Sequence, residues 1–262
     1  MTVNLLVTCG DSFGCGSGLP DEDAFEKSYA GLTAKDIGVP QKVLARPGCC
    51  NYIIYLQIKW AVENLTQANK PFVLITMTNA ARTAWYKPFQ NKRSGVSPTI
   101  EHLNYQDYPP YDTHTNRPFR RPIPVTTDNS LQSETLSNLD TFLDQDPGFV
   151  AWIQFSHEPQ TRIKVLRDWV ADFFNFEIKN DYDNGILAQG HLLLKKHNIP
   201  HLFMGWQPQF GDLLPEENYV AVDWGYWSNN YPDNRGTGHC DYRGHDLVYK
   251  EIIKKVKAQV ND

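Results

Sequence analysis

Short apolar runs and longer stretches with helical spacing alternate along this chain. Residues 3–9 (VNLLVTC) are nearly continuous apolar sequence that stops at Gly10, the pattern of a strand buried on both faces and closed by a tight turn. Residues 42–45 (KVLA) form a second short run before Pro47-Gly48. In residues 51–69 the apolar positions Ile54, Ile58, Ala61 and Leu65 recur at helical spacing, and Asn51 stands where an N-cap is expected. Pro71 opens the run FVLITM at 72–77, the clearest buried strand in the sequence. Helices are predicted over 161–178, with Ile163, Leu166, Val170, Phe173 and Phe174 on one face, and over 186–197. PHLFMGW at 200–206 reads as another strand. Residues 243–260 read as a closing amphipathic helix with Leu247, Ile252, Ile253 and Val256 inward. Strand, helix, strand, helix, strand is the rhythm of an α/β protein with a parallel central sheet.

Residues 86–150 interrupt that rhythm. They hold eight of the seventeen prolines and little periodicity, so they are expected to be an irregular insertion in one domain spanning 1–262, with no core of their own. The insertion leaves the third strand just after Asn79. In such folds that is the end of the sheet where ligands bind, so Trp85 and its neighbours are expected at the rim of a pocket.

Composition narrows the class. Of 262 residues 41% are hydrophobic and 21% charged, which rules out wholesale disorder. A net charge of −5 argues against a dedicated nucleic-acid binder, which needs surplus cations. No run of about 18 apolar residues is present, so no spanning helix and no membrane partner are expected. The first residues, MTVNLLVTCGDS, lack a basic n-region and a cleavage pattern, and the expectation is a cytoplasmic protein as synthesised. Five cysteines form no dense, even framework.

Chemistry concentrates at a few places. Gly10-Asp11-Ser12 follows the first strand, so an exposed serine is expected on a turn at the carboxyl end of the sheet. LARPGCCN (44–51), LITMTNAAR (74–82) and GHCDYRGH (238–245) follow in order. Together these four blocks resemble the SGNH, or GDSL, hydrolase family. The match covers most of the chain outside 86–150. Asn79 matches the Asn of the third block, while Met77 and Ala80 replace its flanking Gly and Asp. The resemblance implies a three-layer, flavodoxin-like α/β fold. It also implies Ser12 as nucleophile, His239 as base, and an oxyanion hole made by the Ser12 and Gly48 N–H groups and the Asn79 side chain. The Cys50 N–H is an alternative to that of Gly48, and His245 is an alternative base. The family usually has an Asp three residues before the base, but Gly236 stands there. Asp233, Asp241 or a backbone carbonyl is left to orient the ring, and Asp233 is preferred.

These residue types suit acyl transfer. A serine hydroxyl needs a base within hydrogen-bond reach, and an imidazole can take its proton and return it to the leaving alcohol. A third group fixes the tautomer, and N–H donors stabilise the oxyanion. The expected activity is carboxylic ester hydrolysis through a seryl ester, with a carbohydrate O-acetyl group as preferred substrate. No cofactor or metal is expected. Trp224 and Trp227 are candidates for an aromatic wall beside a sugar ring. A rival reading lets Cys15, Cys49 or Cys50, Cys240 and His239 hold zinc, although no C-x-x-C spacing supports it. A second rival keeps the fold without catalysis, as a binding or assembly protein. The short blocks look more like those of phage-encoded members than of secreted lipases, and a phage protein of this kind would be associated with the virion.

Overall fold

The structure is a computed structural model. It describes residues 3–20, 24–45, 50–78, 83–84, 130–131, 176–205, 210, 213–234, 236 and 238–261. A five-stranded, all-parallel sheet forms its centre: β1 (Leu5–Cys9), β2 (Gln41–Val43), β3 (Pro71–Thr76), β6 (His201–Gly205) and β7 (Tyr219–Ala221). A separate antiparallel pair joins β4 (Thr83–Ala84) to β5 (Ser130–Leu131). The spatial order is β2-β1-β3-β6-β7. Counted within the sheet alone this is 2-1-3-4-5, the flavodoxin-like order, whose direction reverses between the first and third strands.

Helices cover both faces, which is why the strands read as unbroken apolar runs. Leu5, Val7, Cys9, Val73, Ile75 and Phe203 point to one side, where α2 (Asn51–Leu65) and α3 (Phe176–Lys196) supply Ile54, Ile58, Ala61, Leu187 and Leu194. Leu6, Phe72, Leu74, Leu202 and Met204 point to the other. There α1 (Tyr29–Ile37) and α5 (Tyr242–Asn261) supply Tyr29, Ala34, Val248, Ile252 and Val256. Each fully buried Leu or Ile contributes roughly 1.5–3 kcal/mol. No helix among the described residues is long and apolar enough to cross a membrane.

Several elements differ from the sequence reading. The inward face of α5 is His245, Val248, Ile252 and Val256, at steps of three and four, while Leu247 and Ile253 lie at its border. The helix predicted at 186–197 begins at Phe176 and runs through the polar stretch NDYDNG without a break. That stretch stays helical because two of its polar residues face inward: Asp183 and Asn184 are buried, and Asp183 bonds the Asn51 amide at 3.0 Å. Residues 161–175 lie outside the described residues, as does all but Ser130–Leu131 of the 86–150 insertion.

Helix α1 has no counterpart in the periodicity analysis, because Gly31 and Thr33 blur its apolar face. Its caps were the available signal. The Ser28 hydroxyl accepts the Gly31 N–H at 3.1 Å, and Gly38 ends the helix in the left-handed region, with its N–H on Lys35 O and Ala34 O. The short α4 (Trp224–Asn230) is likewise capped, by the Asp223 carboxylate accepting from the Tyr226 N–H at 2.9 Å.

Buried histidines make stability depend on pH. At the start of β6, His201 Nδ1–H donates to Ile199 O at 2.7 Å, so its Nε2 is the acceptor for His191 Nδ1–H at 2.8 Å. Burial holds His201 down at about 4. His245 is fully buried on α5, and burial holds it at about 4 as well. Both are neutral in the folded protein at pH values where the unfolded chain, with its ordinary value of 6.5, already binds protons. Their contribution is therefore complete above pH 6.5 and is lost progressively as pH falls from 6.5 toward 4. Urea denaturation between pH 7.5 and 4.5 is expected to show a loss of a few kcal/mol, and His245→Gln is expected to flatten part of that slope.

Candidate active site

The strand order reverses between β1 and β3, and in sheets of this order the crevice that takes a ligand lies beyond the carboxyl ends of those two strands. Leaving β1, the chain passes Gly10 directly over Thr76 of β3. A β-carbon on Gly10 would lie 2.7 Å from Thr76 Cβ, so only glycine fits. The next residues coil into a compact turn. The Asp11 carboxylate accepts the Phe13 N–H at 3.0 Å and so braces the turn. Cys15 N–H bonds Asp11 O at 3.2 Å, and Ser17 N–H bonds Ser12 O at 2.9 Å. The Cys15 thiol also donates to Ser12 O, at 3.2 Å, and burial pushes that thiol up to about 11. Ser12 is therefore held through its carbonyl. It is 3% exposed, not the open serine that the sequence suggested, because the turn lies back on the sheet end instead of projecting from it.

A hairpin near the other end of the chain faces this turn. Pro232 and Cys240 form an antiparallel bridge, Asp233 N–H donates to His239 O at 2.9 Å, and Asp241 N–H donates to Tyr231 O at 2.7 Å. In return the Asp233 carboxylate accepts the His239 N–H at 3.3 Å. Strand pairing thus makes Asp233 and His239 neighbours despite their six-residue separation. At the position three before His239, Gly236 has φ 65°, in the left-handed region that favours glycine.

The hairpin sits tightly on the turn. A β-carbon on Gly18 would collide with Cys240 O and come within 2.9 Å of His239 Cβ. The His239 ring lies 4.9 Å from the Phe13 ring, next in sequence to Ser12. Phe13 in turn stacks on Trp224 at 4.6 Å, and Trp224 meets Tyr29 at 5.6 Å. At 8% exposure Trp224 is a core residue supporting Phe13, which leaves it little surface for a sugar ring. Trp227 is half-buried, with its ring against Tyr226 and Tyr231.

His245 occupies a different environment. Its Nδ1 accepts the Tyr29 N–H at 3.4 Å and its ring stacks on Tyr29 at 5.8 Å. That leaves the proton on Nε2, which is buried without a well-formed hydrogen bond, and the neighbouring Ser17 backbone only partly offsets the effect of burial. A neutral imidazole with this pKa is a structural link between α5 and α1.

Gly48, Cys49, Asn79 and Trp85 lie outside the described residues. Cys9, Cys15, Cys50 and Cys240 are buried, with Cys240 raised to about 12 by burial. Among the described residues, no three His, Cys, Asp or Glu side chains approach closely enough to hold a metal ion.

Two site-adjacent residues have roles that the sequence reading does not assign, Gln57 and Asn51, the latter expected only as an N-cap. Asn51 is the first residue of α2, and the N-cap is Cys50, which makes no side-chain cap bond. The Asn51 amide is turned away from its own helix: Oδ1 accepts the Thr78 N–H at 3.0 Å, and Nδ2 donates to Thr78 O at 2.8 Å. Gln57 treats Gly10 in the same way, with Oε1 accepting its N–H at 2.5 Å and Nε2 donating to its carbonyl at 3.0 Å. A polar side chain within an otherwise apolar helix stripe was the available signal.

No protein-family model matches the chain, and no curated protein matches it in sequence. Among solved structures it is similar to one reported under the words "The active site of a carbohydrate esterase displays divergent catalytic and non-catalytic binding functions". The TM-score is 0.46 and the identity 10%, over 98% of this chain and 66% of that one.

Proposed function

We propose that this protein is a serine ester hydrolase working through a seryl ester, with Ser12 as nucleophile, His239 as general base and acid, and Asp233 as the group that orients His239. The observation that carries the reading is the docking of the Asp233–His239 hairpin on the Ser12 turn at the carboxyl ends of β1 and β3. Ser12 Oγ attacks the acyl carbon while His239 takes its proton. The carbonyl oxygen becomes an oxyanion, for which the Ser12 N–H is one donor. Collapse expels the alcohol, which receives the proton from His239. Water then repeats the sequence and releases the acid. The other two donors of the proposal, Gly48 N–H and the Asn79 amide, lie outside the described residues.

Ser12 is only 3% exposed, which suits a small acyl group better than a large one and leaves the larger alcohol outside. An acetyl ester of a carbohydrate satisfies both conditions. A fluorophosphonate reporter tests the reading directly. Incubation of the full chain followed by peptide mass spectrometry is expected to place the adduct on Ser12. A folded protein that stays unlabelled overturns the hydrolase and favours a non-catalytic binding or assembly role.

A further inference from the structure

Helix α2 carries two fully buried amide side chains, Asn51 and Gln57, and each makes a two-point clamp on the N–H and C=O of one residue at the end of a different strand. Gln57 holds Gly10, two residues before Ser12. Asn51 holds Thr78, two residues past the end of β3. The amide orientations are unambiguous. Oδ1 of Asn51 faces one N–H, while its Nδ2 faces two acceptors, Thr78 O and, at 3.0 Å, Asp183 Oδ2. Exchanging O and N would set donor against donor and acceptor against acceptor. Gln57 is fixed by the same argument.

Beyond the end of a strand the ladder no longer fixes the backbone. Here one rigid helix replaces it on both sides of the crevice, acting through side chains that mimic a peptide group. We infer that Gln57 and Asn51 are positioning residues of the esterase site, setting the Ser12 turn and the end of β3 at a fixed separation across the crevice. The inference rests on the hydrolase reading. It explains why α2 gives up apolar packing at two fully buried positions: the amides supply geometry in exchange. Neither residue touches substrate. A displacement of the nucleophile by about 1 Å costs on the order of 100-fold in rate, so loss of a clamp is expected in kcat and not in KM.

The test compares Gln57→Met, Asn51→Ala and Leu65→Ala in the full chain. Leu65, at the far end of α2, loosens the same core without touching either strand end. Each clamp variant is expected to lower kcat on a small activated acetyl ester, and the rate of fluorophosphonate labelling, by roughly 10–100-fold, with KM within about threefold. Leu65→Ala is expected to keep both rates within about twofold below its melting temperature, whatever it loses in stability. Amide exchange supplies a readout independent of activity: Gly10 N–H loses protection in Gln57→Met, and Thr78 N–H in Asn51→Ala. Gln57→Glu is the conservative arm. When protonated, its carboxyl offers one donor and one acceptor to Gly10, so its kcat relative to the unmodified protein is expected to reach or approach unity as pH falls. Clamp variants that behave like Leu65→Ala, or a Gln57→Glu ratio that stays as low as that of Gln57→Met at every pH, overturn this inference and leave the hydrolase standing. An unmodified protein that neither turns over esters nor takes the label overturns the hydrolase reading, and this inference with it.

Discussion

Ser12→Ala is expected to lower kcat/KM on a small activated acetyl ester by roughly 10⁴–10⁶-fold while leaving the melting temperature nearly unchanged. The two halves of that expectation have separate causes. Without Oγ no seryl ester forms, and the remaining groups offer only binding and oxyanion stabilisation, which leave a residual acceleration of order 10³–10⁴ over water in comparable sites. The bonds that hold the turn reach Ser12 through its backbone carbonyl, from Ser17 N–H and the Cys15 thiol, and alanine keeps that carbonyl. Steady-state kinetics together with thermal unfolding measures both. Turnover within tenfold of the unmodified protein would remove Ser12 from the mechanism. A large fall in melting temperature would mean that the hydroxyl holds the turn.

The two histidines near the chain's end are expected to part company. His239→Ala should lose roughly 10³–10⁶-fold in kcat with little change in stability, because His239 is half-buried and its ring contact is with Phe13, itself only partly buried. His245→Gln should do the reverse. It disturbs a buried link between α1 and α5 at a cost of about 1–3 kcal/mol and keeps most of the turnover. Asp233→Asn belongs with His239: the amide oxygen can still accept the His239 N–H, so the hairpin survives, yet the charge that stabilises an imidazolium is gone. A kcat reduced by about 10²–10⁴-fold is expected. Should His245→Gln abolish turnover at a temperature where it remains folded, the base has been assigned to the wrong histidine.

How much of this was legible beforehand follows from how local each signal is. The strands were visible because burial on both faces makes them continuous apolar runs, and β1, β3 and β6 fall within the predicted segments. The caps of α1 were also visible in principle, as Ser28 and Gly38, but apolar periodicity alone does not see them. The polar run at 180–185 misleads for a different reason. Composition marks it as a loop, and only the tertiary pairing of Asp183 with Asn51 reveals that its polarity points inward. Asn51 itself shows the limit of local rules. An asparagine at the start of a helix suggests a cap, but a strand end more than twenty residues away competes for the same amide and wins. Asp233 was chosen on type and proximity. Its pairing with His239 depends on hairpin register, which spacing alone does not specify.

The seat of Gly18 against Cys240 has a consequence in time as well as in space. The turn that carries Ser12 and the hairpin that carries His239 are separated by more than two hundred residues, and the Tyr29–His245 link spans 216. The first strands can pair early and locally. The hairpin at 231–241 docks only when it meets the turn at 10–18, a contact of high sequence separation that is expected to form late in folding. During synthesis Ser12 therefore emerges long before His239, and on the proposed mechanism it is expected to be inert until the hairpin has docked. Removal of residues 239–262 would take away His239 together with α5, whose Val248, Ile252 and Val256 cover one face of the sheet, and is expected to cost the fold as well as the proposed base.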